Sequence, residues 1–383
     1  MKKTMITICL LILTAAISGC WNLKETNQLA IVIGGGLDAS EDGRLEVSSQ
    51  IAIPAGLGGP DTGTNKKRSF EVVSATGKNF MDAGQNLQAQ LSRTLFYAHR
   101  QTILIGQRLA EQGIAGNGML KYLDMIVRNP KSEMRSVIWI VKDGTAKDIL
   151  ATEPTFDPLI STTLVSVQMA LGMKPYNYRE FLCDSLSKGG GELLPAISIL
   201  PSTKKFIYSG AAILDKEHEL HLTGFLKPDE SYYANWIIGR QKTLTVTSSE
   251  SQSNGTISLR VMSLRKHISV NKDLHGMRVH IQLNGSGNLV ENNSSLDPSS
   301  AKDLKTIQSM LSRDAEQAVV KLIHKAQEQY KVDFLGIGEI VHRKYPREWK
   351  SLKKNWNDTF IHIPITVEVH LRYKDPGQTN SSI

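Results

Sequence analysis

From position 361 to 371 every second residue is a large aliphatic: Ile361, Ile363, Ile365, Val367, Val369 and Leu371. Between and after them stand His362, Pro364, Thr366, Glu368, His370 and Arg372. A period of two sends successive side chains to opposite faces of an extended chain, giving one face for a core and one for water. Residues 359–373 therefore read as a strand, with Pro364 suited to a strand start or an edge. One strand cannot bury its own apolar face, so the chain must also supply partner strands and a cover.

Both are legible upstream. Leu244/Val246, Ile257/Leu259/Val261 and Val279/Ile281/Leu283 alternate with polar positions such as Thr245, Arg260, His280 and Gln282. They read as an antiparallel sheet with one wet face. Leu304, Ile307, Leu311, Ala315, Ala318, Leu322 and Ala326 recur at three- and four-residue steps and predict the longest helix, its stripe lying across the sheet. Asp297 is expected as its N-cap and Pro298 as its first residue. Residues 206–214 and 220–226 should pair around Asp215-Lys216-Glu217, and a short helix carries Tyr232, Tyr233 and Trp236. Residues 204–375 thus form one expected domain, an antiparallel-rich sheet covered by one long helix; 376–383 read as a disordered tail.

The first half has a different texture. Residues 29–37 and 45–51 predict a hairpin around Glu41-Asp42-Gly43, followed by a glycine-rich loop over 54–68. Strands are expected at Phe70–Val73, 95–105, 136–142 and the stretch ending at Pro201. Helices are expected at 78–93, 107–112, 119–128, up to Leu150, 158–171 and 178–187. Alternation of strands and helices makes 20–201 a mixed α/β region, with a boundary near Ser202-Thr203-Lys204. The whole reads as α+β (mixed α/β), several mixed-sheet domains with helices packed on the sheets.

The N-terminus carries an address. Met1-Lys2-Lys3 precedes an uncharged apolar run from Thr4 to Ile17, then Ser18-Gly19-Cys20-Trp21. A cationic head, a short apolar run and small residues before a cysteine predict a lipoprotein signal peptide over 1–19. The run is shorter than the roughly 20 residues a spanning helix needs. Cleavage before Cys20 would leave that residue with an S-diacylglycerol and an N-acyl chain. Of three cysteines, Cys9 leaves with the leader and Cys20 is the lipid site, so Cys183 has no partner for an intrachain disulfide. Net charge is +8, and loss of Lys2 and Lys3 leaves +6 on the mature side chains, a mild excess that suits anionic head groups or an acidic partner. No basic cluster interleaved with aromatics argues for nucleic acid.

Motifs for chemistry are weak. Gly34-Gly35-Gly36 lacks the spacing of a phosphate loop and reads as glycines at a strand end. In His218-Glu219-Leu220-His221 the two imidazoles of a hairpin would point apart, so no metal site is expected. Cys183, on an apolar helix position, is expected to be a buried small hydrophobe. His99-Arg100 beside Tyr97 reads as a satisfied, semi-buried pair. The basic segment 343–354 has Trp349, Leu352 and Trp356 on one helical face; the tryptophans are expected to pack under the domain with lysines solvated, the alternative being a membrane or partner surface. No nucleophile motif, cofactor site or metal site is expected, which argues against an enzyme.

In their order, Cys20-Trp21, Glu25, Asn27, Leu29-Ala30, Asp38, Ser92-Arg93, Tyr97, His99, Ile103-Leu104-Ile105, Lys142-x-Gly144-x-Ala146-x-Asp148-Ile149-Leu150, Gly210, Gly224, Glu230, Trp236, Gly239, Asp333-Phe334-Leu335-Gly336-Ile337-Gly338, Pro346, Trp349-Lys350, Trp356 and Phe360 resemble a known family. They resemble the lipoprotein C-subunits of the spore germinant receptors of endospore-forming bacteria, over about residues 20–373. The resemblance implies three mixed α/β domains without an enzyme site, which would divide 20–201 in two. It implies a protein lipid-anchored on the outer leaflet of the spore inner membrane, working with two integral membrane subunits, A and B, as a receptor for nutrients. A different class, an exported solute-binding lipoprotein, would need a cleft between two similar lobes, and the two halves differ in texture. An exported hydrolase would need the nucleophile motif that is lacking.

Overall fold

The structure is a computed structural model that describes residues 25–57, 68–113, 118–128, 132–250, 255–274 and 276–375. Cys20, the leader, the tail from 376 and most of the 54–68 loop lie outside these residues.

The first sheet begins with the expected hairpin, β1 (Leu29–Ala39) against β2 (Leu45–Ala52), and continues to β3 (Phe70–Gly77). Helix α1 (Phe80–Gln88) leads to β4 (Thr94–Phe96) and β5 (Thr102–Gly106). The single strand expected over 95–105 is therefore two, separated where Arg100 turns inward. Helices α2 (Gln107–Gln112) and α3 (Met119–Arg128) precede β6 (Val137–Val141); α4 (Ala146–Leu150), α5 (Ile160–Ala170) and α6 (Tyr178–Leu186) precede β7 (Gly191–Leu200). Strands β8 (Lys205–Asp215) and β9 (His221–Leu226) complete the order β3-β2-β1-β5-β6-β7-β8-β9, with β4 beside β1. The pairs β1–β5–β6–β7 are parallel and the flanking pairs antiparallel, apart from the parallel β1–β4 pair.

Strands β5 and β6 are buried on both faces, as central parallel strands must be. Their alternate residues belong to two cores. Ile103, Ile105, Ile138 and Ile140 meet Leu87, Leu109, Leu123 and Phe181 on one face. Leu104, Val137, Trp139 and Val141 meet Ile149, Leu150, Ile160 and Leu164 on the other. Gly34-Gly35-Gly36 lies inside β1, not at a strand end. A Cβ on Gly34 would lie 2.0 Å from Ser161 Oγ and 2.8 Å from Leu150 Cδ2, so the glycine lets α4 and α5 close on the sheet.

Helix α7 (Pro228–Ile238) carries the chain to the second sheet, β10 (Leu244–Ser249), β11 (Thr256–Asp273), β12 (Gly276–Asn292) and β13 (Ile365–Asp375), in that spatial order. The first three are antiparallel; β13 joins β12 in parallel, from Val279↔Ile365 to Asn288↔Asp375. The long helix α8 (Ala301–His324) runs on into a π-helical turn (Lys325–Tyr330) and buries Ile307, Leu311, Ala315, Val319, Leu322, Ile323 and Ala326. Val319 is buried where Ala318 was expected. The N-cap is Ser300, whose hydroxyl accepts from Asp303 N; Asp297 instead accepts from Ser299 N in the preceding turn. The segment ends with α9 (Ile337–Lys344), α10 (Pro346–Leu352) and α11 (Trp356–Phe360). Thr359-Phe360 is thus helix rather than strand, and Ile363 is buried ahead of β13.

The boundary expected near 202–204 is the turn of a hairpin, since β7 and β8 pair from Gly191↔Asp215 to Leu200↔Lys205. The first sheet continues to Leu226. Leu193, Ala211, Ile213 and Leu226 share one core with the second sheet, α7 and α8, so the two sheets are packed as one body there.

Candidate functional site at the junction of the two sheets

The elements meet around Gly189-Gly190-Gly191. A Cβ on Gly190 would lie 1.8 Å from Asn357 Oδ1, so only glycine lets α11 approach the start of β7. The Asn357 amide joins three segments: Oδ1 accepts from Asp333 N at 3.0 Å, and Nδ2 donates to Gly190 O at 3.4 Å and Asp215 Oδ1 at 3.2 Å. Its backbone N donates to Glu217 Oε1 at 2.9 Å.

Asp333 is fully buried and holds the ends of two helices. It accepts from Ile337 N (3.1 Å) and Gly338 N (2.6 Å) at the start of α9, and from Trp356 Nε1 (2.8 Å). Burial pushes its carboxyl above the usual range, while these hydrogen bonds and the Lys216 charge pull it back. Trp356 packs on Trp349 at 5.1 Å between ring centroids, and both are buried. Trp349 and Trp356 pack under the domain as expected, with Lys350, Lys353 and Lys354 exposed. They stand on two helices, α10 and α11, and not on the single helical face that the spacing suggested, because the chain turns at 353–355.

Beside this joint lies a cleft of about 210 Å³ between the α6–β7 connection, the β8 end, β11 and α9. Its wall is an ionic network. Arg240 donates from one terminal nitrogen to Glu192 Oε1 (2.6 Å) and Asp184 Oδ2 (2.9 Å), and from the other to Leu193 O (2.8 Å). The Tyr176 ring lies 3.6 Å beneath the guanidinium, and its hydroxyl donates toward Asp184 Oδ2 (2.8 Å) and Glu192 Oε1 (3.1 Å). Burial opposes the Arg240 charge, but attraction from Glu192, Tyr176 and Asp184 outweighs it and holds the proton more firmly than usual. Lys216 adds an ion pair to Glu192 at 3.7 Å. Lys266 lines the same cleft without such a partner. Burial, then repulsion from Arg240 and Arg343, pushes its ammonium down to about 8.

The motifs singled out in the sequence stand elsewhere. Arg100 is buried and donates to Ser136 Oγ (3.2 Å), Ser132 Oγ (3.0 Å) and Glu133 O (3.1 Å), while His99 is exposed with its ring edge-on to Phe96. His218 pairs with Asp215 Oδ2 at 2.6 Å, and His221 is exposed. Among the described residues no group of three or more His, Cys, Asp or Glu is placed to hold a metal ion. Cys183 is exposed on α6, correcting the expectation of a buried thiol: Phe181 and Ser185, two residues to either side, take the inward positions. The Arg240–Glu192–Asp184 network was not singled out. Its members stand far apart in the chain, and the nearest sequence signal is Gly239, the left-handed residue that ends α7 just before Arg240.

Residues 22–199 match the family described as the spore germination protein N-terminal domain, and 209–377 match the family described as spore germination B3/GerAC like, C-terminal. Among curated relatives, all from Bacillus subtilis (strain 168), the putative spore germination protein YfkR is 26% identical, covering 96% of this chain and 95% of its own length. Spore germination protein KC is 22% identical (100% and 98%), and spore germination protein B3 is 21% identical (93% and 94%). The crystal structure of the GerBC protein shares the fold: TM-score 0.60 and 17% identity over 89% of this chain and 97% of that one.

Proposed function

This chain belongs to the GerAC-like family of spore germination proteins, and from that premise we propose that it is the lipid-anchored C-subunit of a nutrient germinant receptor. The observation that carries the reading is the pair of matches, which run in order along nearly the whole chain and begin two residues after Cys20. Cys20, as S-diacylglycerol and N-acyl cysteine, tethers the protein to the outer leaflet of the spore inner membrane. The mature chain works there beside two integral membrane subunits, A and B, and does no chemistry of its own.

Among the described residues no helix is long and apolar enough to cross a membrane, so in this reading the acyl chains supply the membrane affinity at about 0.8 kcal/mol per buried CH₂. Eight residues lie between Cys20 and Leu29, a reach of at most about 30 Å, which keeps the start of β1 near the bilayer. The junction is a rigid joint in this reading, fixing one set of surfaces for the partners.

The test is Cys20→Ala in the native host. The expected result is loss of acyl labelling and of membrane retention, with spores that respond poorly to one nutrient class and normally to others. Retained acyl labelling would refute the anchor. Wild-type germination with every nutrient, in a strain lacking the other receptors of this family, would refute the receptor role.

A further inference from the structure

We propose that the junction cleft binds a small organic anion, its carboxylate or phosphate group held between Lys266, Arg343 and Arg240 and its apolar part laid on Ile238, Ile268 and Leu335. This goes beyond the receptor reading and does not require it.

The cleft gathers charge in a small space. The lining carries five cations (Lys188, Lys216, Arg240, Lys266 and Arg343) against three carboxylates (Asp184, Glu192 and Glu339). The carboxylates are committed. Asp184 and Glu192 serve Arg240 and Tyr176, and Glu192 also faces Lys216. Glu339 accepts from the backbone N of Lys188 at 3.2 Å and stands 3.6 Å from Arg343. The Lys266 ammonium has no hydrogen-bond or ion-pair partner among the described residues, while its backbone pairs with β12 opposite Leu283. Its Nζ lies against Gly239, where an added Cβ would sit 3.2 Å away.

Arg240 and Arg343 have carboxylate partners of their own, while the Lys266 ammonium beside them has none, and a guest oxyanion would supply it. Lys266 remains solvent-accessible, so the guest has a way in. Repulsion from Arg240 and Arg343 is among the causes that hold the Lys266 ammonium down, and a bound anion would relieve it. Ile238, Ile268 and Leu335 are partly or fully buried members of the shared core whose side chains form part of the cleft wall, which favours an anion with an apolar portion over a bare inorganic ion. The cleft volume suits a molecule of metabolite size.

The experiment uses the full-length chain in neutral detergent micelles and three probes. Binding of 4-fluorobenzoate is followed by fluorine NMR, with phenyl phosphate and dihexanoyl phosphatidylglycerol as competitors. Saturable binding is expected, weakened about tenfold in Lys266→Met, which keeps the stem and removes the charge. Arg343→Gln should weaken it by about threefold, and Lys305→Met, on the exposed face of α8, should leave it unchanged. Displacement by phenyl phosphate but not by the lipid assigns a soluble anion. Displacement by the lipid at lower concentration assigns a phospholipid head group. No saturable binding of any probe, or equal affinity in wild type and Lys266→Met, overturns the proposal.

Discussion

Replacing Arg240 by methionine tests the energetics of the junction directly. The substitution keeps an unbranched apolar stem and removes three charge-assisted hydrogen bonds, to Glu192 at 2.6 Å, Asp184 at 2.9 Å and Leu193 O at 2.8 Å. The partners do not weigh equally. The Asp184 side chain is 47% exposed, so water replaces most of what it loses, and that bond is worth under about 1 kcal/mol. The Glu192 side chain is 4% exposed, and without Arg240 its carboxylate keeps the Leu193 backbone N–H at 3.1 Å, the Tyr176 hydroxyl at 3.1 Å and Lys216 at 3.7 Å, with no guanidinium beside it. Leaving a buried charge short of its partner costs about 3–5 kcal/mol. Against a total stability of order 5–15 kcal/mol, that loss is large. Urea unfolding followed by tryptophan fluorescence should show a much lower midpoint with an unchanged slope. Glu192→Gln in the same background should recover part of the loss, with a coupling of about 2 kcal/mol or more in the double-mutant cycle. A cost below about 1 kcal/mol, or strictly additive effects, would refute the assignment of Arg240 and Glu192 as a buried, mutually dependent pair.

Two further outcomes follow from local geometry. Asp38 accepts from Ala146 N (2.8 Å) and Lys147 N (3.2 Å), yet burial, the largest influence on it, raises its carboxyl from 3.8 to about 6. A raised folded value means the native state holds the proton more tightly. That contribution is full below pH 3.8 and is lost as pH rises through 6, so stability relative to Asp38→Asn should fall by up to about 3 kcal/mol between pH 4 and 7; a difference flat across that range in parallel urea titrations would contradict it. Gly34→Ala should cost about 1–3 kcal/mol because its methyl meets Ser161 Oγ, whereas Gly84→Ala, in α1 with nothing within 4 Å, should gain about 0.5–1 kcal/mol; equal thermal midpoints for the two variants would count against the close-approach argument.

Much of the architecture was legible because it is written in periods. The strands of the second sheet, the stripe of α8 and the doubly apolar run of β6 all follow from side-chain spacing, and each stands where spacing puts it. The misses are of another kind. Asp297-Pro298 has the chemistry of a helix start, but the chain turns once more and Ser300 caps. The aliphatic alternation begins at Ile361, yet Trp356–Phe360 is helical because Trp356 must reach Asp333, a contact that no local window contains. Cys183 lies on the face of α6 opposite Tyr178, Phe181 and Ser185, because a nine-residue helix with few apolar residues gives the sequence too little periodicity to fix its phase. The boundary near 202–204 marks a change of texture between the two family segments, while the fold carries β7 into β8 across it. The cleft was not legible at all. It is made by residues from 184 to 343 that meet only when both sheets are in place, and isolated charges carry no periodic signature.

The parallel pairing of β13 with β12 has a consequence for the order in which this chain can mature. Residues 276–292 emerge first, but the strand that covers one of their edges is made only after α8, α9, α10 and α11. A chain delivered N-terminus first, through a ribosome or an export pore, therefore waits with β12 open along that edge until residues 365–375 arrive. Closing a contact over so long a separation is slow, and an open edge recruits other strands meanwhile. The second sheet is thus a late clasp, and loss of β13 alone would leave a chain full of formed elements that cannot be shut.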